Sequence, residues 1–317
     1  MNTWAVVLEQ PGQLRLSELS LIDPTDTDVV VDIEWSGIST GTEKLLWNGR
    51  MPAFPGMGYP LVPGYESVGR VVEAGKRTGL KVGERVFVPG ANCFGDVRGL
   101  FGGAAQRVVV PGKRAVSVDA ALGEQAILLA LAATAYHAVS GGGKREHPLP
   151  PDLIVGHGVL GRLLARLNVA AGRDDTVVWE LDAQRAQGAQ GYTVLHPDDD
   201  PRRDYRVICD VSGDASILDA LIERLRPGGE IVLAGFYSER VSFSFPMAFM
   251  REAQIRAAAE WQRPDLMAVK ALIEDGLLSL DGLITHHEAA AHADAAYRTA
   301  FGDAACLKMV LDWRHSA

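Results

Sequence analysis

Apolar and polar positions alternate in short runs through the first third of the chain and change to helical spacing further on. Residues 5–8, 14–16, 29–35, 68–73, 85–89 and 105–110 read as strands separated by Gly, Pro and Asp signals. Many short strands without long helices predict a partly open β-barrel. From 123 to 139 the pattern becomes helical and rich in small residues, Gly141-Gly142-Gly143 breaks it, and Pro148 to Pro151 lead into Leu153-Ile154-Val155. That apolar run meets Gly156-His157-Gly158-Val159-Leu160-Gly161, after which Leu160, Leu163, Leu164 and Leu167 share a helical face as far as Gly172. A second apolar run, 176–179, ends on Glu180. Further strands at 206–211 and 230–235 flank a helix at 215–225 and a turn at Pro227-Gly228-Gly229.

Alternation of this kind predicts a parallel, doubly wound α/β sheet with its ligand at the carboxyl ends of the strands, which puts Ser212, Gly213, Gly235 and Phe236 at the ligand edge. A helix at 264–275, an alanine-rich helix ending near Gly302 and a strand at 307–311 close the pattern, and the last strand is expected to rejoin the first domain. The expected organisation is a β-rich domain at 1–130, a Rossmann domain at 131–260 and a returning segment at 261–317.

The chain has 317 residues, 47% of them hydrophobic and 22% charged, enough for about two domains of ordinary globular composition. A formal charge of −9 without any basic block argues against nucleic acid as a partner. Cys93, Cys209 and Cys306 are widely spaced and odd in number, which fits a reducing, cytoplasmic compartment. No secretory signal pattern opens the sequence, and the most apolar window, 126–139, is too short to span a bilayer, so any membrane contact would be peripheral.

The glycine run carries the clearest chemistry. Gly156 suits the tight turn, Gly158 the close approach of backbone to a pyrophosphate, and Gly161 the packing of helix on strand; His157, Val159 and Leu160 complete the loop, and the helix start offers free N–H groups to an anion. Glu180 stands about 20 residues beyond, where a ribose-binding carboxylate belongs. It would accept bonds from both ribose hydroxyls and repel a 2′-phosphate, favouring NAD over NADP. Asp182 is the reserve carboxylate, and Arg185 is a candidate contact for the adenosine ribose.

Several motifs are similar to those of the medium-chain dehydrogenase/reductase family. Gly37-Ile-Ser-Thr-Gly-Thr-Glu43 is similar to its GICxTD-like loop, Pro63-Gly-Tyr-Glu66 to its PGHE, 131–138 to the helix under the nicotinamide, and 225–229 to a common Rossmann turn. The resemblance implies a GroES-like β-rich catalytic domain joined to a Rossmann domain, an NAD cofactor, Thr134 near that cofactor, and a homodimer. More narrowly, 1–16 and 35–66 resemble the branch of the family that oxidises a secondary alcohol on a tetrapyrrole, which implies a small-molecule tetrapyrrole substrate.

The departures from the family matter too. Where zinc-dependent relatives carry Cys, His and Cys, this chain has Ser39 or Thr40, Tyr65 and Ala130, leaving only Glu66 of the usual set. A catalytic zinc needs three protein ligands, so a metal-free site is expected. Alcohol oxidation then needs another group for the hydroxyl proton: Tyr65, His137, or a relay through Ser39, Thr40 or Thr42. Histidine has the better unperturbed pKa, about 6.5, whereas tyrosine near 10 needs a lowering partner. Glu66 is expected to partner Tyr65 or Arg50.

Trp47, Phe54, Tyr59, Phe94 and Phe101, with Arg50 and Arg98 among them, are the candidate apolar walls and cations for a flat, carboxylate-bearing substrate. Asp198-Asp199-Asp200 reads as a solvated loop. Two other functions fit the same sequence: a zinc-free quinone or enone reductase, and a non-catalytic nucleotide-binding protein.

Overall fold

The computed structural model describes residues 1–141 and 149–314. Most of the glycine break and the start of the proline lead predicted before the nucleotide strand lie outside the described residues. The chain divides into two compact units, Met1–Ala130 with Asp281–Ala317, and Leu131–Leu280.

The first unit opens with β1 (Asn2–Gln10), β2 (Gln13–Ser20) and β3 (Asp28–Ile38), then a short helix α1 (Thr42–Trp47). It continues through β4 (Leu61–Val62), β5 (Ser67–Ala74), β6 (Arg85–Val88), β7 (Arg98–Gly99), β8 (Arg107–Pro111) and β9 (Val116–Ser117). A 3-10 segment, Ala120–Leu128, runs into α2 (Leu129–Ser140). Together they make a helical stretch of 21 residues, longer than the window read from the sequence, and among the described residues it alone is long and apolar enough to cross a membrane. Ala126 to Ala130 are fully buried, so core packing accounts for its composition.

The second unit holds β10 (Leu153–Val155), α3 (Val159–Ala170), β11 (Val177–Trp179), β12 (Thr193–Leu195), β13 (Tyr205–Asp210), α4 (Leu218–Arg224), β14 (Leu225–Leu233), α5 (Phe245–Arg251), β15 (Gln254–Ala257) and α6 (Arg263–Glu274). Its strands form one six-stranded sheet in the order β12-β11-β10-β13-β14-β15, parallel throughout. The order reverses between β10 and β13, which puts the switch point at the end of β10, just before the glycine turn. Leu153, Tyr205, Ile208, Leu221 and Ile231 pack the core.

The chain then returns as β16 (His286–Ala289), α7 (Ala293–Gly302) and β17 (Met309–Asp312). β17 pairs antiparallel with β3 in a seven-stranded sheet of order β16-β17-β3-β5-β6-β9, with β8 also on β3. Val29, Val31, Val86, Val108, Leu311 and Trp313 fill the core of this unit.

The structure departs from the pattern reading in particular places. Helix α6 belongs with the second unit, so the chain returns at 281 instead of 261; the Asp265 carboxylate near the start of α6 bonds His137 of α2. The predicted turn Pro227–Gly229 lies inside β14, between the pairs Tyr205↔Leu225 and Val207↔Glu230, where the register shifts. Asp200 is buried and accepts the Trp179 Nε1–H and the Tyr205 hydroxyl, each at 2.7 Å, so its carboxylate is a core acceptor and not a solvated one.

Candidate active site: a nucleotide turn and a hydroxyl cluster

In the second unit the strand–turn–helix expected from the glycines is formed as read. Gly156 adopts φ +104°, in the region that favours glycine. A Cβ at Gly161 would run into the Gly156 carbonyl oxygen, whereas one at Gly158 would meet nothing within 4 Å. Gly158 caps α3 without a side-chain bond, so the N–H groups of the first turn are left for an anion. Val159 and Leu160 lie in that turn.

The Glu180 carboxylate is held at the end of β11 by three backbone donors. Oε2 accepts the His157 N–H at 3.0 Å; Oε1 accepts Leu181 N–H at 2.9 Å and Asp182 N–H at 3.0 Å. It is tied directly to the glycine turn and still half-exposed. Asp182, the reserve acid, is used locally, its Oδ1 accepting the Gln184 and Arg185 N–H groups.

The His157 side chain turns inward, away from the surface of the turn. The ring is fully buried, with Nδ1 2.6 Å from the Arg185 carbonyl and Nε2 2.8 Å from the Tyr192 hydroxyl. Burial, with the Arg162 charge, pulls its pKa down to about 4. A neutral ring sealed beneath the loop cannot touch a ligand; only the His157 backbone belongs to the turn's surface.

At the end of β13 the buried Asp210 organises the next loop. Its Oδ1 accepts the Ser212 N–H at 2.9 Å and hydroxyl at 2.7 Å, and its Oδ2 accepts the Tyr237 hydroxyl at 2.5 Å. Ser212 thus spends its hydroxyl on Asp210. Gly235 packs so closely that a Cβ there would lie 2.9 Å from the Gly213 nitrogen. Thr134 lies on α2, three residues before His137.

In the first unit, β3 ends beside α1, and the Pro63–Glu66 loop runs along them. The Ser39 and Tyr65 hydroxyls are 2.7 Å apart, and the Thr42 hydroxyl also bonds Tyr65. Three hydroxyls of the candidate set, Ser39, Thr42 and Tyr65, therefore converge. The expected lowering partner for Tyr65 is missing: burial first, then the Glu66 charge, push the phenol well above its ordinary range, and the Ser39 and Thr42 bonds only soften this. Tyr65 is a neutral hydroxyl at physiological pH.

Beneath this cluster lie two buried carboxylates. Glu66 pairs with neither Tyr65 nor Arg50; its Oε2 accepts Lys308 Nζ at 2.6 Å, and Lys308 also bonds the Ile38 carbonyl at 3.2 Å. Gly37 makes room, since a Cβ there would lie 2.5 Å from Glu66 Oε2. Glu43 accepts the Ser39 N–H at 3.0 Å and the Tyr297 hydroxyl at 2.6 Å. Burial raises its pKa to about 7, offset in part by those two bonds. Lys308 and Tyr297 escaped the sequence reading because they lie more than 240 residues from their partners; a lone lysine in the otherwise apolar run before β17 was the available signal.

His137, a candidate for the hydroxyl proton, is buried on α2 in the second unit. Nδ1 lies 2.7 Å from Asp265 Oδ2, in a carboxylate that also accepts the Gln262 N–H and the Ser140 hydroxyl.

The substrate-wall candidates divide. Phe101 is 37% exposed and meets the Tyr65 ring edge-on at 5.5 Å, so it stands beside the hydroxyl cluster. Phe94 is only 3% exposed inside the β-rich core and cannot line a substrate surface. Trp47 packs against Tyr297 and Phe301 of α7. Phe54 and Tyr59 fill a small cluster with Leu8, Leu46, Met51, Leu61 and Leu100, and the Tyr59 hydroxyl donates to the Leu46 carbonyl. Arg50 and Arg98 are exposed.

A catalytic zinc does not fit these residues. The Ser39 and Tyr65 hydroxyls bond each other, the Glu66 carboxylate carries the Lys308 ammonium, and among the described residues no three His, Cys, Asp or Glu converge. A dinucleotide does fit the second unit, on the open N–H groups at Gly158 and the fixed carboxylate of Glu180.

Known proteins share this fold. Residues 25–120 match the family pattern described as the alcohol dehydrogenase GroES-like domain. The chain is 58% identical, over the whole of both chains, to the 2-desacetyl-2-hydroxyethyl bacteriochlorophyllide A dehydrogenase of Cereibacter sphaeroides. It is 57% identical to the Rhodobacter capsulatus protein of the same name, over 99% of each chain. Among solved structures, the short chain alcohol dehydrogenase rspB of Escherichia coli CFT073, complexed with NADH, superposes with a TM-score of 0.81 at 22% identity, covering 98% of this chain and 99% of that one. With full-length likeness to two relatives and both halves of the fold in place, the chain belongs to the medium-chain dehydrogenase/reductase family, whose members use NAD(P), with an alcohol dehydrogenase GroES-like domain and a Rossmann domain.

Proposed function

We propose that this protein is an NAD-dependent secondary-alcohol dehydrogenase that oxidises the 3-(1-hydroxyethyl) group of a bacteriochlorophyllide to 3-acetyl in bacteriochlorophyll biosynthesis, without a metal. The observation that carries the substrate is the 58% identity over the full length of the Cereibacter sphaeroides protein. The hydroxyl cluster of Ser39, Thr42 and Tyr65 supports the chemistry, and Glu180 supports NAD over NADP because a fixed carboxylate repels a 2′-phosphate.

NAD, when bound, supplies the acceptor for the hydride lost from the carbinol carbon. The chain's residues orient the alcohol and move its proton. Tyr65, kept neutral by burial, accepts a hydrogen bond from the carbinol hydroxyl, with Thr42 holding the phenol in line. As it takes that proton, its own phenolic proton shifts along the 2.7 Å bond to Ser39, whose hydroxyl proton is released to bulk water, so one proton leaves for each hydride transferred. Lys308 offsets part of the Glu66 charge beneath the cluster. Phe101, half-exposed beside Tyr65, offers an apolar face to the macrocycle.

The enzyme works as a homodimer, peripheral to the photosynthetic membrane. The exposed side chains of Phe243, Phe245, Phe249 and Met250, near the edge strand β15, support self-association.

The test is direct: 3-(1-hydroxyethyl) bacteriochlorophyllide and NAD, mixed with protein stripped of metal by chelator, should give NADH absorbance and a red-shifted pigment band. Nucleotide binding without turnover of any alcohol would overturn the reading in favour of a binding protein. Activity that returns only with added zinc would overturn its metal-free part.

A further inference from the structure

Residues 181–192 join β11 to β12, parallel neighbours, without any helix between them. Parallel strands need a crossover connection, usually helical, and a connection lacking helix bonds leaves its backbone carbonyls to be satisfied elsewhere. A buried arginine does this. Arg162, in the first turn of α3, sends Nη2 to the Arg185 and Gln187 carbonyls, each at 2.8 Å, Nη1 to the Gly188 carbonyl at 3.4 Å, and Nε to the His157 carbonyl at 3.1 Å. Every one of these acceptors is a backbone carbonyl. The His157 ring reaches the same Arg185 carbonyl at 2.6 Å. A cation in the first turn of a helix opposes the macrodipole, so helix stability does not account for this residue.

We propose that Arg162 is a positioning residue for the dinucleotide: it clamps the 185–188 segment onto the glycine turn, so that Glu180 and the anion-binding N–H groups keep one fixed arrangement. The proposal rests on the nucleotide reading of the second unit. Glu180 is bonded to the turn through the His157 N–H and to the connection through the Leu181 and Asp182 N–H groups, so slack between turn and connection would move the carboxylate. The clamp requires a planar fork of five donors, which lysine's compact ammonium cannot reproduce. Gly188 is shaped to it: its φ is +80°, and a Cβ there would lie 2.9 Å from Arg162 Nη1.

The experiment uses the full chain and its Arg162→Lys variant, with NADH titration by fluorescence, hydrogen exchange of the 181–192 amides, and steady-state kinetics. The expected results for Arg162→Lys are an NADH Kd raised about tenfold, faster exchange across 181–192, and a higher KM for NAD while kcat at saturation stays within about twofold. A variant that binds NADH with the wild-type Kd overturns the clamp. So does weaker binding with unchanged exchange, which would make Arg162 a direct ligand of the nucleotide. If Arg162→Lys does not fold, Gly188→Ala crowds the guanidinium without removing it and is judged by the same readouts. Wild-type protein that binds no nicotinamide dinucleotide would sink the nucleotide reading itself, before any variant is compared.

Discussion

Lys308 Nζ lies 2.6 Å from Glu66 Oε2 with the lysine side chain 1% exposed and the glutamate fully enclosed. Removing one member of such a pair strands a charge. Lys308→Met is expected to cost ~3–5 kcal/mol of folding stability, and adding Glu66→Gln should restore part of it. Denaturant unfolding of the single and double variants measures both steps; equal stability of Lys308→Met and wild type would show that the pair is not needed.

Tyr65 supports a different kind of prediction, because its phenol is held neutral and hydrogen-bonded to Ser39. Tyr65→Phe keeps the ring against Phe101 and removes only the hydroxyl. Turnover at saturating substrate and NAD should drop by about 10²-fold or more, with the NADH Kd unchanged. Full turnover in the variant would reduce Tyr65 to a space-filler.

Glu180→Ala should raise the KM for NAD and shift the ratio of kcat/KM for NADP against NAD upward by about tenfold or more, since a repelling charge and a ribose acceptor disappear together. Kinetics with both cofactors decide this. An unaltered ratio would mean that Glu180 serves only to hold the turn.

Stability should respond to pH through two groups of opposite sign. Glu43, raised from 4.5 to about 7, stays protonated in the folded protein while the unfolded chain ionises. Its contribution is therefore complete below 4.5 and lost as pH rises through 7, on the order of 3 kcal/mol. His157, lowered from 6.5 to about 4, contributes above 6.5 and loses that contribution as pH falls through 4. Glu43→Gln, which imitates the protonated acid, should melt above wild type at pH 8 and close to it at pH 5. Thermal unfolding at the two pH values is the check, and a deficit of equal size at both would contradict it.

Local chemistry was legible in the sequence wherever the needed residues were close together. Glycine spacing placed Gly156, Gly158 and Gly161 on a strand–turn–helix, and the distance to Glu180 placed the carboxylate. The alternating strands gave the parallel sheet, though not its short members: β12 has three residues and the edge strand β15 four, too few to show a period. What could not be read was pairing at long range. Glu66 was expected to pair with Tyr65 or Arg50, but its counter-ion is a lysine more than 240 residues later, just before β17. For aromatic residues the sequence offers no distinction between lining and filling: Phe94 and Phe101 look alike in the chain, yet one is core and the other stands beside Tyr65.

The pairing of β17 with β3 bears on how the polypeptide matures during synthesis. β3 and β5 leave the ribosome early, with Glu66 between them in the chain, and although β8 soon covers the first half of the other edge of β3, its 35–38 end is still without the strand that will cover it. The second unit is translated whole in the interval and can close its sheet from local strands. Only when residues 308–313 emerge do Glu66 receive its ammonium group and Ser36 the Trp313 indole N–H. Until then the earlier unit exposes the end of a strand edge and an unbalanced acid, so it is the segment for which a nascent-chain chaperone would matter most, and ribosome-stalled chains cut short before 308 should be protease-sensitive there while the second unit resists.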